Sequence, residues 1–187
     1  MKIIFIRHGK TAGNLEKRYI GRTDEPLCES GKTELKSRCY PDCDIVITSP
    51  KKRCTETAKI IYPDKEIYNF EELKECDFGD FEGKNYIELS KNTDYQKWID
   101  SGGKTTFPNG ENPDDFKNRC IDSFEQIISK YSDFSIISLV VHGGTIMSIM
   151  EKYAVPERDY FDYQIANGNA YITEFDGEKI TIIEEIT

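Results

Sequence analysis

The 187-residue sequence contains no long apolar segment. Its longest nearly apolar run covers residues 136–141, is interrupted by a serine, and is far too short to span a bilayer. The N-terminal apolar stretch has only four residues before Arg7, fewer than the core of a secretory signal peptide needs. We therefore expect a cytoplasmic protein that does not associate with a membrane.

Positive charge is also scarce, since 25 lysines and arginines face 34 aspartates and glutamates and the net charge is −9. Nucleic acids and anionic membranes bind basic surfaces, so neither is expected as a partner. A small anionic substrate is compatible with this composition if a few cations share one pocket. The six cysteines form no CxxC pair, which indicates free thiols in a reducing compartment and no bound metal.

Strand and helix signals alternate along the chain, whose length suits one domain over residues 1–187. Buried strands are predicted at 2–6, 44–48 and 135–141, followed by a hairpin of 170–175 and 179–184 around Asp176-Gly177. Helices are predicted from Ser30 to about Cys39, after an N-cap at Ser49, near 95–100, from Asn112 and over 145–153. Residues 76–112 are otherwise expected to form a loop-rich lid or substrate segment. This order predicts a three-layer α/β/α sandwich with a mostly parallel central sheet and antiparallel strands at an edge.

The sequence has only two histidines, and each directly follows a predicted strand. The carboxyl ends of parallel strands share one edge of a sheet, so His8 and His142 are expected in the same crevice. Beside His8, the guanidinium of Arg7 can grip two phosphate oxygens, and a neutral imidazole is a nucleophile for phosphorus. The alternative for His8 is an ordinary strand-end histidine that is only hydrogen-bonded.

Three further segments carry weaker signals. Gly143 and Gly144 leave backbone N–H groups free for an anion at a helix start, although a plain tight turn has the same pattern. Arg53 lies in the first turn of a predicted helix near the same sheet edge, whereas residues 51–52 are expected on a solvated basic face. An acidic segment, by default a generic charged loop, offers several proton donors, and the residues alone do not choose among Glu75, Asp77, Asp80 and Glu82.

Taken together, five blocks resemble the histidine phosphatase superfamily, also called phosphoglycerate mutase-like, from Lys2 to about Met150. The blocks occur in the family's order, which makes the resemblance far more specific than any single motif. They are Arg7-His8-Gly9-Lys10-Thr11; Asn14 with Gly21-Arg22-Thr23-Asp24 and Pro26-Leu27; Ser49-Pro50 with Arg53 and Thr57-Ala58; Leu73-Lys74-Glu75 with Phe78-Gly79 and Glu82-Gly83; and His142-Gly143-Gly144. Lys10 departs from the pattern, because relatives often have an acidic residue there, and this leaves pocket charge and substrate preference open.

The resemblance implies roles for the matching residues, a small phosphate monoester as substrate, and no cofactor or metal. His8 would become a phosphohistidine, and Glu75, selected by its block, would protonate the leaving alcohol and later activate water. Three groups would hold the equatorial phosphoryl oxygens, namely Arg7, Arg53 and His142. The remaining substrate-binding positions are expected at Thr11, Asn14, Arg22 and Gly143.

The substrate itself is suggested by residues 95–100 and 107–111, which are similar to alpha-ribazole phosphatases of cobalamin synthesis. Trp98 and Phe107 either stack on a nucleoside-like base or simply pin this segment to the core. About 25 residues separate Gly83 from Pro108, where phosphoglycerate mutases usually carry a longer insertion, so hydrolysis is favoured. A general phosphatase of the superfamily and a non-catalytic phospho-ligand-binding protein are the alternatives, and both a monomer and a homodimer are compatible with the sequence.

Overall fold

The computed structural model describes all 187 residues and contains seven strands, six α-helices and three 3₁₀ turns. The strands are β1 (Lys2–Arg7), β2 (Ile45–Thr48), β3 (Ile67–Asn69), β4 (Ile136–Val141), β5 (Ala154–Val155), β6 (Ala170–Phe175) and β7 (Ile180–Ile186). The helices are α1 (Ala12–Leu15), α2 (Glu29–Ser37), α3 (Lys52–Ile61), α4 (Thr93–Asp100), α5 (Pro113–Lys130) and α6 (Gly143–Tyr153). The 3₁₀ turns are Glu71–Leu73, Gly79–Phe81 and Tyr160–Tyr163. Every strand and helix predicted from the sequence is present, whereas α1, β3 and β5 were not predicted.

All seven strands form one sheet in the order β3-β2-β4-β1-β6-β7-β5. The strands β1 to β4 pair in parallel, and β6 pairs antiparallel with both β1 and β7, which confirms a mostly parallel sheet with antiparallel pairing on one side. The hairpin is not the outermost element, because the two-residue β5 pairs in parallel with β7 beyond it. In the β1–β4 register Arg7 lies opposite Val141, so the next residue of each strand emerges at the same edge.

Helices cover both faces of the sheet. Alternate residues of β1 point to opposite faces and belong to two different buried clusters. Ile3 and Phe5 belong to the larger buried cluster, to which α5 and α6 contribute their apolar faces. Ile4 and Ile6 belong to a second cluster that includes Cys54 of α3. The three layers expected from the sequence are therefore confirmed. Between their ends the central strands β1 and β4 are apolar except for Ser138, as is typical of strands that are buried on both faces.

The start of α2 differs from the sequence prediction. The residue that caps this helix is Cys28 and not Ser30, because the Cys28 Sγ accepts a hydrogen bond from the N–H of Gly31 at 3.4 Å. None of the six helices combines the length and apolarity needed to cross a bilayer.

The start of α3 also differs, and the reason lies in the site described below. Ser49 was expected to cap this helix, but the helix begins at Lys52, whose N–H is donated to Asp24 Oδ1 at 2.7 Å. The hydroxyl of Ser49 lies 2.8 Å from Nε2 of His142 instead. The Ser49 hydroxyl keeps a longer local bond, accepted from the N–H of Lys51 at 3.4 Å, but its shorter contact is with a histidine from a distant part of the chain.

Candidate active site

The two histidines lie side by side at the carboxyl edge of the sheet. Their ring centroids are 5.2 Å apart and the ring planes meet at 69°, an edge-to-face arrangement. Both are buried, His142 completely and His8 to all but 4% of its surface. The parallel register of β1 and β4 produces this proximity, since each histidine is the first residue after its strand.

The imidazole of His8 is held in one tautomer. Its Nδ1 lies 2.7 Å from the carbonyl oxygen of Gly9, and because a carbonyl only accepts, Nδ1 carries the hydrogen. The neutral ring therefore keeps its lone pair on Nε2. Burial, followed by the nearby charges of Arg53 and Arg7, holds the pKa of His8 well below its usual value. The ring is thus neutral near pH 7, as a nitrogen nucleophile must be.

The imidazole of His142 is held from two sides. Arg53 Nε donates to its Nδ1 at 3.3 Å, so Nε2 of the neutral ring carries the hydrogen and donates to Ser49 Oγ at 2.8 Å. The Cys54 Sγ lies 3.6 Å from the same Nε2. Burial, then the charge of Arg53, lowers the pKa of His142 well below its usual value.

The Arg53 side chain is itself almost fully engaged by the protein. Its Nη1 donates to the carbonyl of Thr23 at 2.8 Å, and its Nη2 donates to the carbonyls of Ile20 and Gly21 at 3.3 and 3.1 Å. With Nε on His142, four of its five N–H groups have protein acceptors. Arg53 is also almost fully buried and lies off the cavity wall described below, so it offers a phosphoryl group its charge rather than a bidentate fork.

The Arg7 side chain has a free donor. Its Nη1 donates to the carbonyl of Ile165 at 2.6 Å, whereas its buried Nε has no hydrogen-bond partner. Gly143 lies against this guanidinium, and a methyl group placed on Gly143 would lie 3.3 Å from Arg7 Cζ. An unpaired buried N–H costs about 1–3 kcal/mol. The Arg7 side chain borders the cavity described below, so its guanidinium can contact an anion there.

The carboxyl group of Glu75 lies above the start of α6. Its Oε1 accepts from the N–H of Cys76 at 3.0 Å and its Oε2 accepts from the N–H of Gly144 at 3.2 Å. Burial raises the pKa of Glu75 above its usual value, although these two N–H groups and the charges of Arg53 and Arg7 oppose the shift. Among the four acidic candidates, Glu75 is the one that borders the same cavity as His8.

A cavity of 770 Å³ opens over these groups. The predicted site residues along its wall are Arg7, His8, Asn14, Glu75 and Gly143. His142 and Arg53 lie buried directly behind His8. The volume exceeds what an inorganic phosphate needs, so the cavity has room for an alcohol group as well.

Three residues of the first blocks lie elsewhere. Thr11 is fully buried and caps α1, with its Oγ1 accepting from the N–H of Asn14 at 3.3 Å. Arg22 is exposed, lies outside the cavity wall, and has its Nη1 3.7 Å from Asp77. Lys10 points to α2, where its Nζ lies 2.7 Å from Glu34, so its charge does not enter the cavity.

Asn167, on the cavity wall, contacts the predicted nucleophile but was not identified by the sequence analysis. Asn167 donates through Nδ2 to the carbonyl of His8 at 3.1 Å and to Oδ1 of Asn14 at 3.2 Å. It precedes β6, and since β6 runs antiparallel to β1, the start of β6 lies at the carboxyl edge of β1. The polar sequence Asn167-Gly168-Asn169 before the predicted hairpin was the available signal.

The aromatic residues of the lid segment mostly contact one another. Phe107 is buried, and its ring centroid lies 5.4 Å from that of Trp98 and 5.2 Å from that of Phe78. Trp98 also stacks on Tyr95, with centroids 6.0 Å apart and planes at 20°. Phe107 also packs in a buried cluster with Phe116 and Cys120 of α5, so it helps to pin the lid to the core. Both Phe107 and the half-buried Trp98 border the cavity.

Residues 3–185 match the sequence model described as "Histidine phosphatase superfamily (branch 1)". Among curated proteins, the chain is 27% identical to the Bacillus subtilis protein called "Uncharacterized phosphatase PhoE", over 95% of this chain and 90% of the relative. It is 24% identical to the "Adenosylcobalamin/alpha-ribazole phosphatase" of Escherichia coli, over 90% of this chain and 87% of the relative. Among solved structures, the alpha-ribazole phosphatase of Shigella flexneri superposes with a TM-score of 0.86 at 22% identity, covering 97% of this chain and 94% of that one. At this identity the structural likeness supports the shared fold.

Proposed function

The chain belongs to the histidine phosphatase superfamily and is a phosphatase, and on that premise we propose that it hydrolyses small phosphate monoesters through a phosphohistidine on His8. The observation that carries this proposal is the hydrogen bond from His8 Nδ1 to the Gly9 carbonyl at 2.7 Å. It leaves the Nε2 lone pair of a buried, neutral ring free to attack. The guanidinium of Arg7, which borders the same cavity, supplies positive charge for the phosphoryl group.

In the first half of the reaction, His8 Nε2 attacks phosphorus and the bond to the alcohol oxygen breaks. Protonated Glu75 gives its proton to that oxygen, so that an alcohol and not an alkoxide leaves. The raised pKa of Glu75 supports this role, because it keeps more of the carboxyl protonated. Arg7 borders the cavity, Arg53 lies buried behind His8, and the positive charges of the two guanidinium groups stabilise the transition state. The neutral ring of His142 packs edge-to-face against His8.

In the second half, water attacks the phosphohistidine. The Glu75 carboxylate takes a proton from this water, the bond between nitrogen and phosphorus breaks, and inorganic phosphate leaves. His8 returns to the neutral ring and Glu75 to the protonated acid, so the cycle closes with one ester and one water consumed. The charge of the phosphoryl group is balanced by the side chains of Arg7 and Arg53 throughout, and no step in this scheme uses a metal.

Within this class we propose alpha-ribazole 5'-phosphate as the first substrate to test. The E. coli relative carries that activity in its name, and Trp98 borders the cavity, where its ring can contact a flat base. A general small-molecule phosphatase is the second candidate, because the B. subtilis relative is named only as a phosphatase.

The test is phosphate release from a panel of esters, with and without a strong chelator. The panel contains alpha-ribazole phosphate, nucleoside monophosphates, 3-phosphoglycerate and p-nitrophenyl phosphate. We expect chelator-resistant release, fastest for alpha-ribazole phosphate, and none from the His8→Ala variant. Binding without release would favour a regulatory protein, and transfer between phosphoglycerate positions would favour a mutase.

A further inference from the structure

The segment that carries Glu75 is held by one arginine of α5. Arg119 Nη1 donates to the carbonyl oxygens of Glu72 and Lys74 at 2.6 and 2.8 Å, and its Nη2 donates to the carbonyl oxygen of Glu75 at 3.2 Å. Three carbonyls within four consecutive residues thus converge on one guanidinium. This convergence fixes the path of the backbone from which the Glu75 side chain projects.

The remaining donors of Arg119 bind Glu111. Arg119 Nε and Nη2 donate to the two carboxylate oxygens at 2.6 and 2.9 Å, a bidentate ion pair. All five N–H groups of Arg119 are then used. The two side chains are only 21% and 20% exposed, unlike the surface ion pairs of the protein, most of which leave at least one partner more open to water.

Glu111 also binds the backbone at Asp77, two residues after Glu75. Its backbone N–H donates to the carbonyl of Asp77 at 2.9 Å, and its Oε2 accepts from the N–H of Asp77 at 3.2 Å. The Arg119–Glu111 pair therefore anchors the backbone both before and after Glu75. Neither residue borders the cavity, so neither can touch a substrate there.

The carboxyl group of Glu75 has little else to hold it in place. One of its two hydrogen bonds comes from the adjacent Cys76, which moves with the segment, and the other is the 3.2 Å bond from Gly144. Alignment of the carboxyl group with the leaving oxygen must therefore come from the backbone. Displacements of about 1 Å at such a group are enough to lower rates strongly.

We propose that Arg119, paired with Glu111, is the positioning residue of the proton donor Glu75. This inference rests on the proposed role of Glu75. Loss of the pair lets the Glu75 carboxyl group drift from the leaving oxygen while His8 and the arginines keep their places. Esters that need a proton on the leaving group are then affected, and esters that leave without one are not.

The test is the Arg119→Lys variant, which keeps the positive charge but has at most three donors and no planar fork. We measure kcat and KM for an alkyl phosphate and for p-nitrophenyl phosphate, whose leaving group needs no proton. The ratio of the two kcat values should fall at least about ten-fold, part of the 10²–10⁴-fold that a general acid contributes, with KM little changed. Glu111→Gln, which keeps the size of the side chain, should lower the same ratio and serves if the lysine variant folds poorly.

Two comparisons decide the outcome. In a Glu75→Gln background, Arg119→Lys should leave the ratio unchanged, because there is no proton donor left to misplace. Ile127→Val, which trims a fully buried residue of the same helix, should lower stability without altering the ratio. Equal losses on both esters in Arg119→Lys, or a further drop in the Glu75→Gln background, would overturn the inference. If Glu75→Gln alone leaves the ratio unchanged, the proposed role of Glu75 fails instead.

Discussion

Gly144 and Glu75 lie so close that a methyl group on Gly144 would sit 2.3 Å from Glu75 Oε1. The same methyl group would lie 2.8 Å from the ring of Phe116, so there is no room for it on that side either. The glycine therefore supplies an N–H for the carboxylate and also the space that the carboxylate occupies. The Gly143-Gly144 pair, which the sequence analysis found compatible with a plain tight turn, therefore includes a glycine that is needed for steric reasons.

Gly144→Ala should consequently displace Glu75 and break its 3.2 Å hydrogen bond to the backbone of α6. We expect kcat for an alkyl phosphate to fall by about 10²-fold or more, close to the loss of the acid itself. The matched variant is Gly143→Ala, whose methyl group would lie 3.3 Å from Arg7 Cζ and not against Glu75. That variant should weaken all esters alike, and identical substrate dependence in the two variants would contradict the explanation.

Glu75→Gln should remove the proton donor and keep the shape of the side chain. The rate for alkyl phosphates should drop by about 10²–10⁴-fold, whereas p-nitrophenyl phosphate should be slowed much less because nitrophenolate leaves without a proton. Steady-state kinetics on both esters check this. A uniform loss would mean that Glu75 acts on phosphate binding and not on the leaving group.

Lys17 adopts a left-handed backbone conformation, with φ of 56°, two residues after the end of α1. The N–H of Lys17 donates to the carbonyl of Asn14 and that of Arg18 to the carbonyl of Gly13, a helix ending that favours glycine. Lys17→Gly should therefore raise the free energy of unfolding by about 1 kcal/mol.

Asn109→Gly is the control for this prediction, to be measured with it by denaturant unfolding. Asn109 is the other non-glycine residue with positive φ, at 55°, but asparagine tolerates this region better than lysine. It should therefore gain less stability than Lys17→Gly. Loss of stability in Lys17→Gly would mean that the lysine side chain contributes more than its backbone conformation costs.

Acid should destabilise the fold through its histidines. The pKa of His8 in the folded protein lies well below 6.5, whereas in the unfolded chain it is about 6.5, so below that pH only the unfolded state takes up the proton. Stability from this group is complete above pH 6.5 and is lost as the pH falls toward the folded-state pKa. The free energy of unfolding should therefore be lower at pH 5.5 than at pH 7.5.

The His8→Gln variant isolates this contribution, since every other titrating group is retained. Denaturant unfolding at the two pH values should show that the variant loses less stability than the wild type. An equal loss in both proteins would show that His8 takes up its proton in the folded state as readily as in the unfolded state.

The sequence predicted the elements of this fold because their local signals agree with their tertiary roles. The apolar stripe of α5 is buried along its length, and the Asn112 cap at its start is present. The two strands that were not predicted, β3 and β5, are three and two residues long, too short to show alternation of apolar and polar residues. Their pairing depends on the sheet beside them and not on their own sequence.

The site was predicted less completely, because a local sequence pattern does not show which hydrogen-bond partner a side chain will have in the folded protein. Ser49 has the sequence context of a helix cap, but its hydroxyl pairs with His142. Thr11 belongs to a block associated with phosphate binding, but its hydroxyl caps α1. Asn167 carries no motif, yet it binds the backbone of His8.

The most direct measurement is the identification of the phosphorylated residue during turnover. The enzyme is mixed with p-nitrophenyl phosphate, quenched in alkali within the first turnovers, and analysed by peptide mass spectrometry. An acid-labile, alkali-stable phosphoryl group should be found on His8 and should be absent from His8→Ala, which should also release no phosphate while keeping its fold. A phosphoryl group on any other residue, or wild-type turnover in His8→Ala, would contradict nucleophilic attack by His8.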